Sequence, residues 1–310
     1  MRIIAGLALA LLAGNAAAQG GGAPYSVRET GQGFASLQQA VDAIGDGAGT
    51  ILIAPGRYRD CAVQQAGSVA YVAAQPGMAI FDGGVCEGKA ALVLRGREAR
   101  VEGLVFQNLA VPDGNGAGIR MEKGRLLVRE SLFRDSESGI LSANDPNGEI
   151  RIEQSTFSGL GRCDRGLSCA HSIYIGDFGT LSVARVRFER GTGGHYVKTR
   201  TPRVEVVDSS FDDTAGRATN YMIDLSNGSS GTIARNVFVQ GPNKENYSAL
   251  IMIAPEGRDN SSDGLLIADN DASVAPAFTR RTTFVADRSG EGIRMENNRL
   301  GPRIAPYERR

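Results

Sequence analysis

The stretch RLLVRESLF, Arg125 to Phe133, returns in altered form along the chain as EIRIEQSTF (149–157), TLSVARVRF (180–188), RVEVVDSSF (203–211) and GTIARNVF (231–238). Each copy ends on phenylalanine, and Phe106 in VEGLVF precedes them, giving spacings of 27, 24, 31, 23 and 27 residues. Five positions before each phenylalanine stand Val101, Val128, Ile152, Val183, Val206 and Ile233, all β-branched. Two positions earlier stand Ala99, Leu126, Ile150, Leu181, Val204 and Gly231. The same register continues through Leu265, Ile267 and Ala272, then through Ile293, Met295 and Leu300. Alternation within each copy has period two, which is the period of a strand. A repeat of this length with several short strands and no helical period predicts an all-β, single-chain parallel β-helix. Identical positions then stack about 4.8 Å apart on successive coils. Asn236, Asn270 and Asn298 recur two residues before the last anchors and predict an asparagine ladder at a bend.

Outward from this repeat, FASLQQAVDAIGDG (34–47) reads as an N-terminal capping helix over about 35–45. Ser36 and Gln39 have capping-box spacing, Leu37, Ala40, Val41 and Ile44 form one apolar face, and Gly45 is placed to end the helix. Such a helix shields exposed strand edges at the start of the solenoid. GTILIAPGRY (49–58) opens the coils, which run to about residue 300 within a single domain spanning 19–310. Two repeats carry excess residues, in SGLGRCDRGLSCA (158–170) and APEGRDNSSDG (254–264). Insertions in a solenoid become loops on one side, often the binding side.

The first 22 residues, MRIIAGLALALLAGNAAAQGGG, have the pattern of a signal peptide over 1–18, with cleavage after Ala18. The apolar run is too short to span a bilayer, so a periplasmic or secreted mature chain is expected. The 310 residues hold 34 basic and 34 acidic side chains; cleavage removes one arginine, Arg2, and leaves a near-neutral protein. That balance carries no footprint for nucleic acid, and nothing in it calls for more than a monomer. Cys61, Cys86, Cys163 and Cys169 form an even set in an exported chain. Three pairings are open, and proximity in sequence favours Cys61–Cys86 and Cys163–Cys169. No Cys/His spacing indicates a metal site, no cofactor is expected, and no clear carboxylate cluster supports calcium.

Chemistry concentrates in GGHYVKTRTP, Gly193 to Pro202. It holds His195, one of two histidines, and Lys198, one of four lysines. Aligning HSIYIG (171–176), HYVKTR (195–200) and NYMIDL (220–225) turns Ile173, Val197 and Ile223 inward. Tyr174, Lys198 and Asp224 then point outward on three consecutive coils, with Tyr196 and Arg200 on the same face as Lys198. The phenylalanine anchors lie fourteen residues beyond Tyr174 and Asp224 but thirteen beyond Lys198, which leaves a one-residue slip open. Asp212 and Asp213 directly follow an anchor and read as turn residues.

The repeat plan, the helix before the first coil and the opening LIAPGRY (52–58) resemble the pectate-lyase-like superfamily of right-handed parallel β-helix proteins, over nearly the whole mature chain. The strands HSIYIG, GHYVKTR and YMIDLSNG are similar to a group of uncharacterised exported members. The resemblance implies a carbohydrate-active protein acting on acidic polysaccharides. The Gly-His-Gly motif of the polygalacturonase-like branch is absent, since Gly194-His195 is followed by tyrosine. RTPR (200–203) departs from the Arg-x-Pro-x-x-Arg of pectate lyases. Lys198 matches the lysine of lyases that act on alginate or chondroitin, whereas the following coil offers Asp224 where those enzymes place an arginine.

Elimination of a uronate needs a cation beside the substrate carboxylate, a base for the carbon-bound proton and an acid for the departing oxygen. Lys198, Arg200, His195 and Tyr174 are the catalytic candidates; His171, Tyr196, Asn220, Tyr221 and Asp224 are the substrate-binding candidates. The expected function is a polysaccharide lyase acting on a uronate-containing glycan. A non-catalytic glycan-binding or adhesin-like β-helix is the alternative, followed by a hydrolase that pairs Asp224 with an unidentified carboxylate.

Overall fold

The computed structural model describes residues 22–310, so the signal-peptide segment 1–18 lies outside the described residues. Three long sheets wind into a parallel β-solenoid, one of twelve strands and two of ten. The twelve-stranded sheet begins with the antiparallel pair Tyr25–Val27 and Gly33–Phe34 and becomes parallel from Ala48–Ile53 onward. The second sheet carries the phenylalanine anchors, and the third runs from Ala62–Gln64 to Ile304–Arg309.

The register follows the sequence columns. Val101, Val128, Ile152, Val183, Val206 and Ile233 pair in succession along the first sheet. Phe106, Phe133, Phe157, Phe188, Phe211 and Phe238 do so along the second. Neighbouring rings in that column stack with centroids 4.7–5.2 Å apart. Phe81 and Tyr58 extend the column toward the N-terminus. Both columns belong to one continuous apolar core, the expected outcome for repeats that cannot bury an apolar face alone.

The corner between these two sheets is made by one residue in the left-handed region, three positions before each anchor. Glu130, Gln154, Arg185, Asp208 and Arg235 have φ between 47° and 56°. L-residues adopt this conformation at a cost. At each of these corners except that of Arg185, where Val186 follows, the following residue helps to offset it. Its side-chain oxygen accepts a hydrogen bond from the backbone N–H of the preceding coil. Ser209 N donates to Asn236 Oδ1 at 2.9 Å, Asn236 N to Asn270 Oδ1 at 3.0 Å, and Asn270 N to Asn298 Oδ1 at 3.1 Å. The asparagine ladder is therefore present, and Ser155 and Ser209 serve the same function on earlier coils.

The one helix among the described residues is Leu37–Ile44. Ser36 Oγ accepts from Gln39 N at 3.3 Å, and Gly45 ends the helix at φ 57°. Leu37, Ala40 and Val41 bury their side chains. Gln38 bonds Val63 on the first coil through both its amide oxygen and its amide nitrogen. The disulfides are Cys61–Cys86 and Cys163–Cys169, as the spacing suggested. No helix among the described residues is long and apolar enough to cross a membrane.

Candidate functional site

The site lies on the outer face of the third sheet, where the strands Ile173–Ile175, Val197–Thr199 and Ile223–Leu225 lie side by side. Ile173 pairs with Val197 and Val197 with Ile223, all three buried. Alternation then directs Tyr174, Lys198 and Asp224 outward in one row. The one-residue slip left open by the sequence does not occur. Leu141 precedes this polar row on one coil and Met252 follows it on another, so apolar side chains flank it on both sides and separate it from Arg120 and Glu308 farther along the column.

Three positions upstream, at the strand entries, stand His171, His195 and Tyr221. Their rings stack in order, with centroids 4.9 and 5.5 Å apart. His171 Nδ1 accepts from His195 N at 2.9 Å, which places the proton of neutral His171 on Nε2. His195 Nε2 lies 3.1 Å from Asp224 Oδ2, while its Nδ1 is buried without a hydrogen-bond partner.

Lys198 does not project into solvent as expected. It is only 6 % exposed, and its Nζ lies 3.5 Å from Asp224 Oδ2 and in contact with Glu256 Oε1. The other oxygen of Glu256 meets Arg200 Nη2. Arg200 also donates from Nε to Tyr174 Oη at 3.1 Å and from Nη1 to Asn227. The Tyr174 ring lies beside both cations, 5.7 Å from Lys198 Nζ and 5.8 Å from Arg200 Cζ. Lys198 and Arg200 thus converge on one carboxylate, with a phenol and a second carboxylate next to them.

Burial sets the protonation pattern. It pushes His195 down to about 3, helped by the Lys198 charge. His171 is also lowered well below the usual histidine range, by burial first and then by His195 and Lys198. The imidazoles are neutral, so the His195–Asp224 contact is no ion pair. Burial raises Asp224 to about 6, against the opposing pull of Lys198 and Ser226. Burial also pushes Glu256 up, but the bonds from Lys198 and Arg200 outweigh it and hold this carboxyl below its ordinary value. One ammonium therefore touches two carboxylates whose proton affinities are driven apart.

Tyr196 requires a correction. It is not on the outer face but 1 % exposed within the core. Strand pairing begins at Val197, so alternation does not extend back to Tyr196, and both residues turn inward. Its hydroxyl donates to Asp213 Oδ1 at 2.7 Å and accepts from Gly191 N at 3.1 Å, beyond the reach of a bound sugar. Asp213 is likewise no exposed turn residue. It is fully buried, accepts from Thr219 Oγ1, and pairs with Lys244 at 3.2 Å. Asn220 lies at the rim, bonded to Glu245. Tyr221 is half-buried against Ala249, Met252 and Ala286.

Sequence reasoning missed Glu256 and Asn227 as site residues. Glu256 lies 58 positions from Lys198, in the insertion 254–264, and only the excess length of that repeat signalled it. The loop is fixed to the neighbouring coil, with Glu256 N and Gly257 N both donating to Ser226 O. The other insertion also reaches the site: Gly194 N donates to Cys163 Sγ at 3.2 Å, one residue before His195.

A hollow of about 500 Å³ lies elsewhere, on the twelve-stranded sheet, with Glu149, Arg151, Arg203 and Glu205 among its lining. It is an open trough between rows of side chains, whereas charged groups on the third sheet converge on a single point. We therefore place the candidate site on the third sheet. Among the described residues no group of three or more His, Cys, Asp or Glu side chains is arranged to hold a metal ion. Comparison with protein-family models, with curated proteins and with solved structures finds no match for this chain.

Proposed function

We propose that this protein is an exported, carbohydrate-active β-helix that cleaves a uronate-containing polysaccharide by β-elimination. The observation that carries the reading is the convergence of Lys198 and Arg200 on one carboxylate, that of Glu256. A uronate carboxylate bound in the same place has its negative charge countered by two cations, which acidifies the adjacent C–H bond. Arg200 is the permanent clamp, because a guanidinium keeps its charge. Lys198 touches that carboxylate and Tyr174 touches Arg200, and the two divide the proton transfers. With Lys198 charged, Tyr174 takes the proton from carbon and Lys198 protonates the departing oxygen; with Lys198 neutral, Lys198 takes the proton, Arg200 alone counters the charge and Tyr174 protonates the departing oxygen. The likeness of the repeat plan to the pectate-lyase-like superfamily supports the same substrate class, and the two disulfides are consistent with an extracytoplasmic setting.

A second reading has its own observation. Asp224 and Glu256 both touch Lys198 Nζ, and their proton affinities are shifted in opposite directions. Such a divided pair of carboxyls is the equipment of a glycosidase, and Glu256 supplies the second carboxylate that the sequence alone did not reveal.

Incubation with a panel of acidic polysaccharides separates these readings. Elimination produces an unsaturated, ultraviolet-absorbing end, and hydrolysis produces new reducing ends without that absorbance. The lyase reading predicts absorbance that falls by about 10²-fold or more in Lys198→Ala. In Lys198→Arg, binding retained without turnover marks Lys198 as the base, and turnover retained marks it as a clamp. Reducing ends alone support the hydrolase, and binding of every glycan without product supports a non-catalytic module.

A further inference from the structure

We propose that Glu256 is an internal occupant of the anion subsite, and that a ligand with a free carboxylate binds by displacing its side chain from Lys198 and Arg200. The inference rests on the uronate reading and specifies how the ligand is admitted and which sugars are selected.

Three observations support it. Both oxygens of Glu256 are used, one by Lys198 and one by Arg200, as an incoming uronate would use its own. Among the described residues the two cations have no other acidic partner in common: Lys198 also meets Asp224, while Arg200 turns to Tyr174 and Asn227. The backbone beneath Glu256 is held independently of the carboxylate, through the bonds of Glu256 N and Gly257 N to Ser226 O and of Asn260 N to Asn227 O.

The third point determines the kind of motion. The loop stays in place while the side chain of Glu256, 41 % exposed, rotates toward solvent and leaves the clamp. Lys198 is nearly enclosed beneath it and has no comparable outlet. A resident carboxylate of this kind imposes selection. A neutral sugar or a methyl-esterified uronate offers nothing to the two cations in exchange for Glu256, whereas a free carboxylate replaces one charged acceptor by another. Occupancy by Glu256 also weakens measured affinity in proportion to the fraction of molecules whose clamp is vacant.

The probe is galacturonate monosaccharide, with galactose as the neutral control, titrated calorimetrically into wild-type protein, Glu256→Ala and Glu256→Gln. The proposal predicts galacturonate binding about tenfold or more tighter in both variants than in wild type. That corresponds to a clamp vacant in a tenth of wild-type molecules or fewer. The gain should vanish in Glu256→Ala combined with Arg200→Ala, and galactose should bind none of the four proteins. Equal galacturonate affinity in wild type and both single variants overturns the proposal, as does a gain for galactose that matches the gain for galacturonate. Glu256→Gln keeps the shape of the side chain, so agreement between the single variants excludes a local folding defect as the cause. A monosaccharide has no glycosidic bond to break. Binding that follows the prediction while polysaccharides yield no product therefore removes the lyase reading and leaves the displacement mechanism standing.

Discussion

Asp224 and His195 are buried neighbours whose responses to acid oppose each other. Asp224 is raised to about 6 in the folded chain, against about 3.9 for an unfolded aspartate. Between those values the folded state holds more protons at this site, so the Asp224 contribution is present at low pH and is lost as pH rises through about 6. His195 is lowered to about 3, against about 6.5 unfolded. The unfolded state takes up its proton first, so this contribution is present above about 6.5 and is lost as pH falls toward 3. Each acts with a slope of up to ~1.4 kcal/mol per pH unit, and between pH 4 and 6 they largely cancel. In Asp224→Asn the contribution of His195, and that of His171 which has the same sign, is no longer offset by this carboxyl. Thermal melts should then show the variant losing stability more steeply than wild type between pH 6 and 4. Parallel curves would contradict the assigned protonation states. The same carboxyl limits chemistry: where activity depends on ionised Asp224, it should rise with pH through about 6.

At the scale of the element, the strand Val197–Thr199 is positioned by what precedes it. Gly194 has φ 60°, and a Cβ there would stand 2.1 Å from Ala170 O and 2.5 Å from His171 Nδ1. Gly194→Ala should therefore cost ~1–3 kcal/mol and displace His171, measured as a lower denaturation midpoint together with loss of site function. An unchanged midpoint would show that the entry to this strand is not as tightly packed as described. The strand also shows what a sequence makes legible. The anchors Phe133 to Phe238 could be read because stacking requires the same residue type at the same position on each coil. The row Tyr174, Lys198 and Asp224 could be read because alternation extends outward from Ile173, Val197 and Ile223. Tyr196 was misassigned because period two holds only within paired residues, and it lies one position before pairing begins. Asp213 follows an anchor as turn residues do, but a buried lysine from a later coil draws it inward. Glu256 has no periodic position, so its place over Lys198 and Arg200 is fixed by the path of a loop that no repeat encodes.

At the scale of the molecule, the strands of each coil pair only with those of adjacent coils, so the solenoid holds the site by transmitting register from coil to coil, and the loop that carries Glu256 reaches across one coil to Lys198 and Arg200. Phe188 sits mid-column, stacked 5.2 Å from Phe157 and 4.8 Å from Phe211. Phe188→Ala should cost ~3–5 kcal/mol in denaturant unfolding, and a loss below ~1 kcal/mol would mean that the column is not a packed core. Register sets the three coils of the site side by side, and together with the insertion loops it converts a repetitive surface into one concentrated patch of charge. Under the proposed function this patch, rather than the open trough on the twelve-stranded sheet, receives a carboxylated sugar. The most direct test is an experimental structure of Lys198→Ala, in which turnover is expected to be lost, soaked with an unsubstituted oligogalacturonate. The prediction is a sugar carboxylate against Arg200, with the Glu256 side chain turned away and the chain crossing the strands that carry Tyr174, position 198 and Asp224. An oligosaccharide bound in the trough between Arg151 and Arg203, with Glu256 still on Arg200, would contradict it.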